Sequence, residues 1–175
     1  MKKLRRAIIM ILILFLGFFI QVNCAQFIPT LNYVPNIMLI VVFSIGFLND
    51  SKAGIIAGII SGLLMDFMQG GSFGFYTLIF VYIGFINGML KRYFISNVIL
   101  LPLILCTINE ILYHGVIYLF EFGKEAPHTM AEYLHYIVIP EYLITLISSV
   151  VFYGMILLIY RKLEKIEKKG ETQFV

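Results

Sequence analysis

The sequence predicts an all-helical integral membrane protein in which six transmembrane helices form a single membrane domain over residues 1–175. Hydrophobic residues make up 61% of the 175 residues and charged residues only 13%, with a mean hydropathy of +0.95. A soluble domain is roughly half apolar and roughly a quarter charged. The apolar residues fall in runs separated by short polar turns, and basic residues are concentrated in alternate turns. These observations favour a bundle of membrane helices over a water-soluble fold.

The first predicted helix covers residues 7–27 and follows a basic N-terminus. Four basic residues lie within Met1–Arg6, before an uninterrupted apolar run from Ala7 to Ile20. A secretory signal peptide has the same charge pattern. This run is long for that role, however, and no small-residue cleavage pattern precedes Gln26. We therefore predict a first helix that is retained.

The second and third predicted helices, residues 33–48 and 53–68, are short. Pro35 suits the first turn of a helix, where its missing N–H costs nothing, and the polar turn Asn49–Lys52 separates the two helices. About 16 residues reach about 24 Å, less than the roughly 30 Å hydrocarbon core of a bilayer. A re-entrant hairpin is the alternative, but it would place Asp50 in the membrane interior at high cost. We therefore predict two spanning helices in a locally thinned bilayer.

The remaining predicted helices follow the same pattern of apolar runs with polar boundaries. Before the last span, Thr129 and Glu132 have the spacing of a helix-capping box, which predicts a short external helix over residues 129–137. Leu163 and Ile166 in the charged C-terminal stretch indicate that the last helix continues as an amphipathic end. The predicted spans are residues 73–90, 98–120 and 142–160, and residues 161–175 form a cytoplasmic tail.

Charge determines the predicted orientation. If the six helices alternate in direction, every lysine and arginine except Lys124 lies on one side of the membrane, out of 13 in the chain. Basic residues flank membrane helices mainly on the cytoplasmic side, so both termini are predicted to lie in the cytoplasm. The basic N-terminus and tail also favour contact with anionic lipid. Glutamates are interspersed in the tail, and nucleic-acid binding is therefore not expected.

The segment around which the chain is organised carries small residues in steps of four. On a helix this spacing puts the residues on one face, and a flat face of glycines lets another helix approach closely within the membrane. One interpretation is an internal packing seam that ends in a carboxylate at the level of the headgroups. The other is a surface that serves a site or a partner. The residues of this pattern are Gly54, Gly58, Gly62, Asp66, Gly70 and Gly74.

A polar cluster is predicted in the fifth helix. Asn109, Glu110 and His114 lie in its second half, and the last two are one turn apart on one face. An ionisable residue inside a membrane helix indicates a functional site by default, although the same groups also join helices by hydrogen bonds. Asp66 is predicted at the same depth, so that all three ionisable groups could face one pocket in the outer half of the membrane.

Few residues suggest catalysis or metal binding. His128, Glu132 and His135 share a helical face and could hold zinc, but their spacing matches no metallopeptidase motif, so no metal site is predicted. The sequence has no phosphate-binding glycine loop before a lysine and no Gly-x-Ser-x-Gly motif. Cys24 and Cys106 lie in or beside apolar segments as packed free thiols. The protein is therefore predicted not to be an enzyme and to need no cofactor.

Two stretches of the sequence resemble a bacterial family, the rod shape-determining MreD proteins. The first is Val34-Pro35-Asn36-Ile37-Met38-Leu39, and the second is Gly58-Ile59-Ile60-Ser61-Gly62-Leu63-Leu64-Met65-Asp66, followed by Gly70 and Gly74. The motifs cover residues 34–90, while size, helix count and the two basic ends agree over the whole chain. The resemblance implies a non-enzymatic component of the cell-elongation machinery in the bacterial cytoplasmic membrane.

The resemblance also implies partners and a fold. MreD proteins act with MreC, a protein with a single membrane span, and the two together link MreB filaments to the peptidoglycan polymerase and transpeptidase. The family is similar in fold to the substrate-binding subunits of energy-coupling-factor transporters. For this chain, the resemblance makes Pro35, Asn36 and the pattern from Gly54 to Gly74 the family motif, with the glycine face as a surface for a partner's helix.

A vitamin-type substrate-binding subunit of an energy-coupling-factor transporter is the alternative function. Six short helices and the outer-half groups Asp66, Glu110 and His114 would suit a small-molecule pocket. The loop over residues 121–141 would then act as a lid. Tight binding of a small ligand to the purified protein would favour this alternative over the shape-determining function.

Overall fold

Helices account for nearly all of the chain that the computed structural model describes, which is residues 2–27, 33–70, 72–93, 100–122 and 129–172. These ranges contain no β-strand. A π-helical turn, Tyr118–Phe122, extends α5, and a second one, Leu134–Val138, joins α6 to α7. The helices are α1 (Lys2–Phe27), α2 (Ile37–Leu48), α3 (Ser51–Gln69), α4 (Phe75–Leu90), α5 (Leu100–Ile117), α6 (Met130–Tyr133) and α7 (Ile139–Thr172).

Four helical stretches in the described part of the chain are long and apolar enough to cross a membrane. They belong to α1, α3, α5 with its π-turn, and the continuous run from α6 through α7. The helices α2 and α4 are apolar but shorter. The third helix is therefore longer than the predicted residues 53–68, because α3 includes both Ser51 and Gln69 and has 19 residues.

Helix α2 forms the centre of the bundle. All of its 12 residues are buried, and it contacts α1, α3, α4, α5 and α7. Its sequence has no polar face, as expected for a helix that is enclosed on every side. Ser44 is the polar exception in this helix, and its hydroxyl donates a hydrogen bond to the Ile40 carbonyl, 2.6 Å away.

Basic residues gather at one end of the bundle, which we call the basic end. Arg6 Nε donates to Glu167 Oε1 at 3.0 Å, joining the start of α1 to the end of α7. Lys91, after α4, donates to the Leu48 carbonyl at 2.7 Å and to the Asn49 carbonyl, at the negative end of the α2 dipole. Burial lowers the pKa of Lys91. The start of α1 and the α2–α3 turn line one cavity of about 520 Å³, so both pairs lie at the same end.

The second helix begins later than predicted. Asn36, and not an earlier residue, is its N-cap, and α2 starts at Ile37. Pro35 consequently lies before the cap instead of in the first helical turn, and its carbonyl accepts the Ile37 N–H at 2.9 Å. The asparagine side chain determines this start, because its Oδ1 accepts the Leu39 N–H in the first turn.

The last two predicted helices are continuous in the structure. The expected external helix over residues 129–137 begins with the capping box of Thr129 and Glu132, but it runs through the π-turn directly into α7. Pro140 is the second residue of α7 and follows this π-turn almost directly. Beyond the predicted span 142–160, α7 continues through the tail to Thr172, with Leu163 buried and Ile166 exposed. Residues 173–175 lie outside the described ranges.

Candidate functional site

The glycine face of α3 lies directly against α4. A Cβ atom added to Gly58 would be 2.5 Å from the Phe80 carbonyl oxygen and 2.7 Å from Val81 Cα. These are backbone atoms of α4, so no side-chain movement would relieve the overlap. The same holds for Gly54 and Gly62, whose added Cβ atoms would also overlap α4 backbone. The glycine face is therefore a seam along which the backbones of α3 and α4 are in contact.

Glycines of three helices meet within this seam. Gly54 of α3 and Gly84 of α4 approach each other so closely that neither has room for a Cβ, and a Cβ on Gly46 of α2 would be 2.6 Å from the Gly84 carbonyl oxygen. The close contacts continue to both ends of the α3–α4 pair, at Gly62 with Thr77 and at Gly88 with Ser51. The expectation of a glycine surface for a partner's helix is thus wrong, because α4 of the same chain occupies that surface.

Asp66 lies at the end of the seam and binds the start of α4. Its Oδ1 accepts the Tyr76 N–H at 2.9 Å. Its Oδ2 accepts three hydrogen bonds, from the Gly74 N–H at 3.0 Å, the Thr77 N–H at 3.2 Å and the Thr77 hydroxyl at 2.6 Å. A buried carboxylate is stable in this position because the free N–H groups and the positive end of the helix dipole surround it.

Two glycines form the turn that brings α4 back to Asp66. Gly70 ends α3 with φ +67°, and Gly74 precedes α4 with φ +94°. Both values lie in the left-handed region, which glycine adopts at little cost. The Gly70 N–H donates to the Asp66 carbonyl at 3.2 Å, so backbone and side chain of one aspartate hold both sides of the turn. The motif from Gly54 to Gly74 therefore encodes a tightly packed helical hairpin.

Pro35 and Asn36 connect the start of α2 to α7. Asn36 Oδ1 accepts the Leu39 N–H at 3.2 Å as a helix cap. The Asn36 N–H donates to Thr145 Oγ1 at 3.0 Å, and this hydroxyl donates in turn to the Glu141 carbonyl at 2.8 Å. Asn36, with Pro35 directly before it, therefore lies where α2 and α7 meet and stabilises the start of α2 there.

Asn109 faces α4 instead of joining Glu110 in one cluster. The amide groups of Asn87 and Asn109 exchange two hydrogen bonds, of 2.8 and 3.2 Å. Each side chain also donates to a carbonyl of its own helix, that of Ile83 or Leu105. Both residues are buried. The pair therefore joins α4 to α5 by polar contact within an apolar region.

The hydrogen bonds between Asn87 and Asn109 predict how substitutions of the two residues change the free energy of unfolding. Asn109→Leu alone should lower the free energy of unfolding by about 2 kcal/mol, because it leaves the buried Asn87 amide without its cross-helix partner. Combined with Asn87→Leu, the loss should be smaller than the sum of the two single losses by about 1 kcal/mol. Denaturant titrations of the detergent-solubilised variants, followed by circular dichroism, measure these losses. Strictly additive losses would contradict the paired arrangement.

Glu110 and His114 face α7 and the preceding helical segment. His114 Nε2 lies 3.1 Å from Glu110 Oε2 and 3.7 Å from Glu141 Oε2. The other ring nitrogen, Nδ1, is 3.2 Å from the Tyr133 hydroxyl. Glu110 is 1% exposed and His114 5%. Two carboxylates thus meet one imidazole in a buried position, an arrangement that can hold protons or a cation.

Glu110 also lines a cavity of about 200 Å³ between α5 and the start of α7, and it is the one carboxylate in the wall. The other lining residues are Thr107, Ile111, Val138, Ile139 and Tyr142. Asp66, which we expected to share a pocket with Glu110 and His114, is instead held by its bonds to α4. The predicted convergence of three groups thus does not occur, and Glu141 takes the place of Asp66.

The structure describes two of the three residues weighed as zinc ligands in the external loop, Glu132 and His135. His128 lies outside the described residues. Glu132 Oε2 accepts the Thr129 N–H at 3.0 Å as part of the capping box, and His135 is exposed with its ring edge-on to Tyr136. The prediction against a metal site at this triplet therefore stays a prediction.

The sequence did not indicate two residues that contact His114, namely Tyr133 and Glu141. The predicted loop over residues 121–141 ends at Glu141, yet Glu141 lies in the first turn of α7. Its position directly before a long apolar run was the signal that it could belong to the helix. Its contact with His114 depends on how α7 packs against α5, which no spacing in the sequence indicates.

A comparison with models of known protein families identifies the family of this chain. The chain matches the family model described as rod shape-determining protein MreD over residues 1–163, which confirms the resemblance drawn from the motifs. No match was found among the curated proteins or the solved structures. The fold likeness to energy-coupling-factor subunits, and the transporter function that depends on it, therefore have no support from these comparisons.

Proposed function

Because the chain belongs to the MreD family of rod shape-determining membrane proteins, we propose that it is a non-enzymatic scaffold of the bacterial cell-elongation complex. In this role it binds an MreC-type single-span protein and helps couple MreB filaments to peptidoglycan synthesis. The observation that carries the proposal is the family match, which extends from the first residue through the buried Leu163 of α7. The motif also supports a scaffold, since its residues build a rigid hairpin.

The proposed orientation has six membrane crossings in the cytoplasmic membrane, with both termini in the cytoplasm. Three groups of charged residues at the basic end support it, namely Arg5 and Arg6 with Glu167, Lys52 in the first turn of α3, and Lys91. Basic residues favour the cytoplasmic side and anionic lipid. At 12 and 16 residues, α2 and α4 would reach about 18 and 24 Å, which a locally thinned bilayer accommodates.

The partner's helix must bind a surface other than the glycine seam. Helices α1, α5 and α7 each present large apolar side chains on the outside of the bundle, such as Phe15 at 54%, Ile111 at 67% and Ile147 at 72% exposure. In a membrane such positions face either lipid or another protein. The proposal therefore predicts that a single-span partner covers part of these faces.

Site-specific crosslinking in living cells tests this proposal. A photoreactive amino acid replaces Phe15, Ile111 or Ile147, one at a time, in the tagged full-length protein. The matched control is Phe43 of α2, which is fully buried and cannot reach a partner. We expect at least one outward position to crosslink to a single-span protein with a large extracellular domain, and the Phe43 position to crosslink to none.

The outcomes separate the two functions. Crosslinks to a single-span protein, with cell-wall synthases co-purifying, would support the scaffold. Crosslinks to a multi-span subunit together with a pair of ATPases would overturn it in favour of a transporter subunit. Absence of any protein crosslink at all three outward positions, with normal membrane insertion, would also overturn the proposed partner binding.

A further inference from the structure

Two members of the cluster of Glu110, His114 and Glu141 have buried polar atoms that make no hydrogen bond within the described part of the chain. Both carboxylate oxygens of Glu110 and the Nε2 atom of His114 are buried there without a hydrogen-bond partner. His114 Nε2 and Glu110 Oε2 are 3.1 Å apart, but they lack the alignment of a hydrogen bond. A buried carboxylate that makes an ion pair but accepts no hydrogen bond is incompletely satisfied, and its oxygens can therefore take a further ligand.

The spacing of the three groups suits a metal ion. One oxygen of each carboxylate and one imidazole nitrogen all lie within 4.8 Å of one another, with separations of 3.1 and 3.7 Å from the nitrogen to the two oxygens. Tetrahedral ligands at zinc, with bonds of about 2.0 to 2.2 Å, are about 3.3 to 3.6 Å apart. The two carboxylates carry two negative charges, and the neutral imidazole carries none, so the set balances the charge of a divalent ion.

The surroundings of the cluster have two further features of metal sites. The Tyr133 hydroxyl lies 3.2 Å from His114 Nδ1, where its oxygen can accept a hydrogen bond from the Nδ1–H and leave Nε2 free as a ligand. A cavity of about 200 Å³ adjoins one of the three ligands, Glu110. The cluster thus has three ligands, an outer partner and an adjoining cavity.

We propose that Glu110, His114 and Glu141 bind one divalent transition-metal ion, such as Zn²⁺, which joins α5 to the start of α7. The site is at the end of the bundle opposite the basic end, where the helical segment containing Tyr133 turns into α7. Bound metal would hold these helices together and fix the position of the external segment. The proposal rests on the cluster alone and is independent of the proposed scaffold function.

Metal binding to the full-length protein tests the proposal. The protein is purified in mild detergent with a histidine-free affinity tag, stripped with a chelator, and titrated with ZnCl₂ by calorimetry, with elemental analysis for stoichiometry. We expect one Zn²⁺ per chain and a rise in the melting temperature on loading. Substitution with Co²⁺ should give the visible absorption of a tetrahedral site with nitrogen and oxygen ligands.

Matched variants localise the ion. His114→Ala and Glu141→Gln should each weaken Zn²⁺ binding at least about 100-fold, and Tyr133→Phe about tenfold. The control His135→Ala removes an exposed histidine and should bind Zn²⁺ as the unaltered chain does. Because Glu141→Gln keeps the shape of the side chain, it distinguishes ligand loss from misfolding. Full binding by the folded Glu141→Gln and His114→Ala variants, or no stoichiometric Zn²⁺ on the unaltered chain, would overturn the proposal.

Discussion

Gly58→Ala is expected to destabilise the folded protein by about 2 kcal/mol, although alanine favours a helix more than glycine does. The added Cβ would be 2.5 Å from the Phe80 carbonyl oxygen and 2.7 Å from Val81 Cα. Because both atoms belong to the α4 backbone, the two helices would have to separate along the seam. Unfolding of the purified variant in detergent, followed by circular dichroism, measures the loss.

Two outward glycines provide the matched control for this substitution. A Cβ on Gly115 or Gly154 would meet nothing within 4 Å. Gly115→Ala and Gly154→Ala should therefore leave stability unchanged or raise it by up to about 1 kcal/mol through helix propensity. If Gly58→Ala behaves like these two variants, α3 and α4 do not make the backbone contact described above. A similar loss at all three positions would point to a general intolerance of alanine and not to the seam.

The glycine seam shows what spacing predicts and what it does not. Steps of four placed Gly54, Gly58 and Gly62 on one face and predicted a close helix contact, which the structure contains. The occupant of that face could not be predicted, because the same spacing suits an internal helix and a partner's helix equally well. The deciding signal is Gly84, which lacks a side chain at the point on α4 where Gly54 arrives.

Helix boundaries were predictable where polarity changes sharply. The end of α2 at Leu48 and the end of α4 at Leu90 agree with the prediction, because polar residues follow at once. The continuous run from Met130 to Thr172 was not predicted. Its sequence contains Pro140 between two apolar parts, which reads as a break, whereas a π-turn before the proline carries the helix through.

The buried ionisable cluster was predictable only within one helix. Glu110 and His114 are a turn apart, so their pairing follows from helix geometry. Asn109 is adjacent to Glu110 in sequence but points about 100° away around the helix, toward α4 and Asn87. Glu141 belongs to another helix, and its contact with His114 requires the tertiary packing of α5 against α7.

Asp66→Asn is expected to lower the free energy of unfolding by about 3 kcal/mol. The carboxylate uses both oxygens, with one bond to the Tyr76 N–H and three to Gly74 and Thr77. Asparagine has a single acceptor oxygen, so either the Tyr76 donor or the other three donors would face an NH₂ group. The substitution also removes the negative charge at the positive end of the α4 dipole.

Asp50→Asn is the matched control for this variant. Comparing the two shows how much burial of the carboxylate adds to the loss of stability. Asp50 also caps a helix, since its Oδ1 accepts the Ala53 N–H at 2.8 Å, but it is exposed. Asparagine caps an exposed helix start as well as aspartate does, so Asp50→Asn should change stability by less than about 0.5 kcal/mol. Denaturant titrations of both variants in the same detergent give the difference. Equal losses at the two positions would mean that the four bonds to Asp66 contribute no more than an ordinary cap, and the hairpin would then depend on the glycine seam alone.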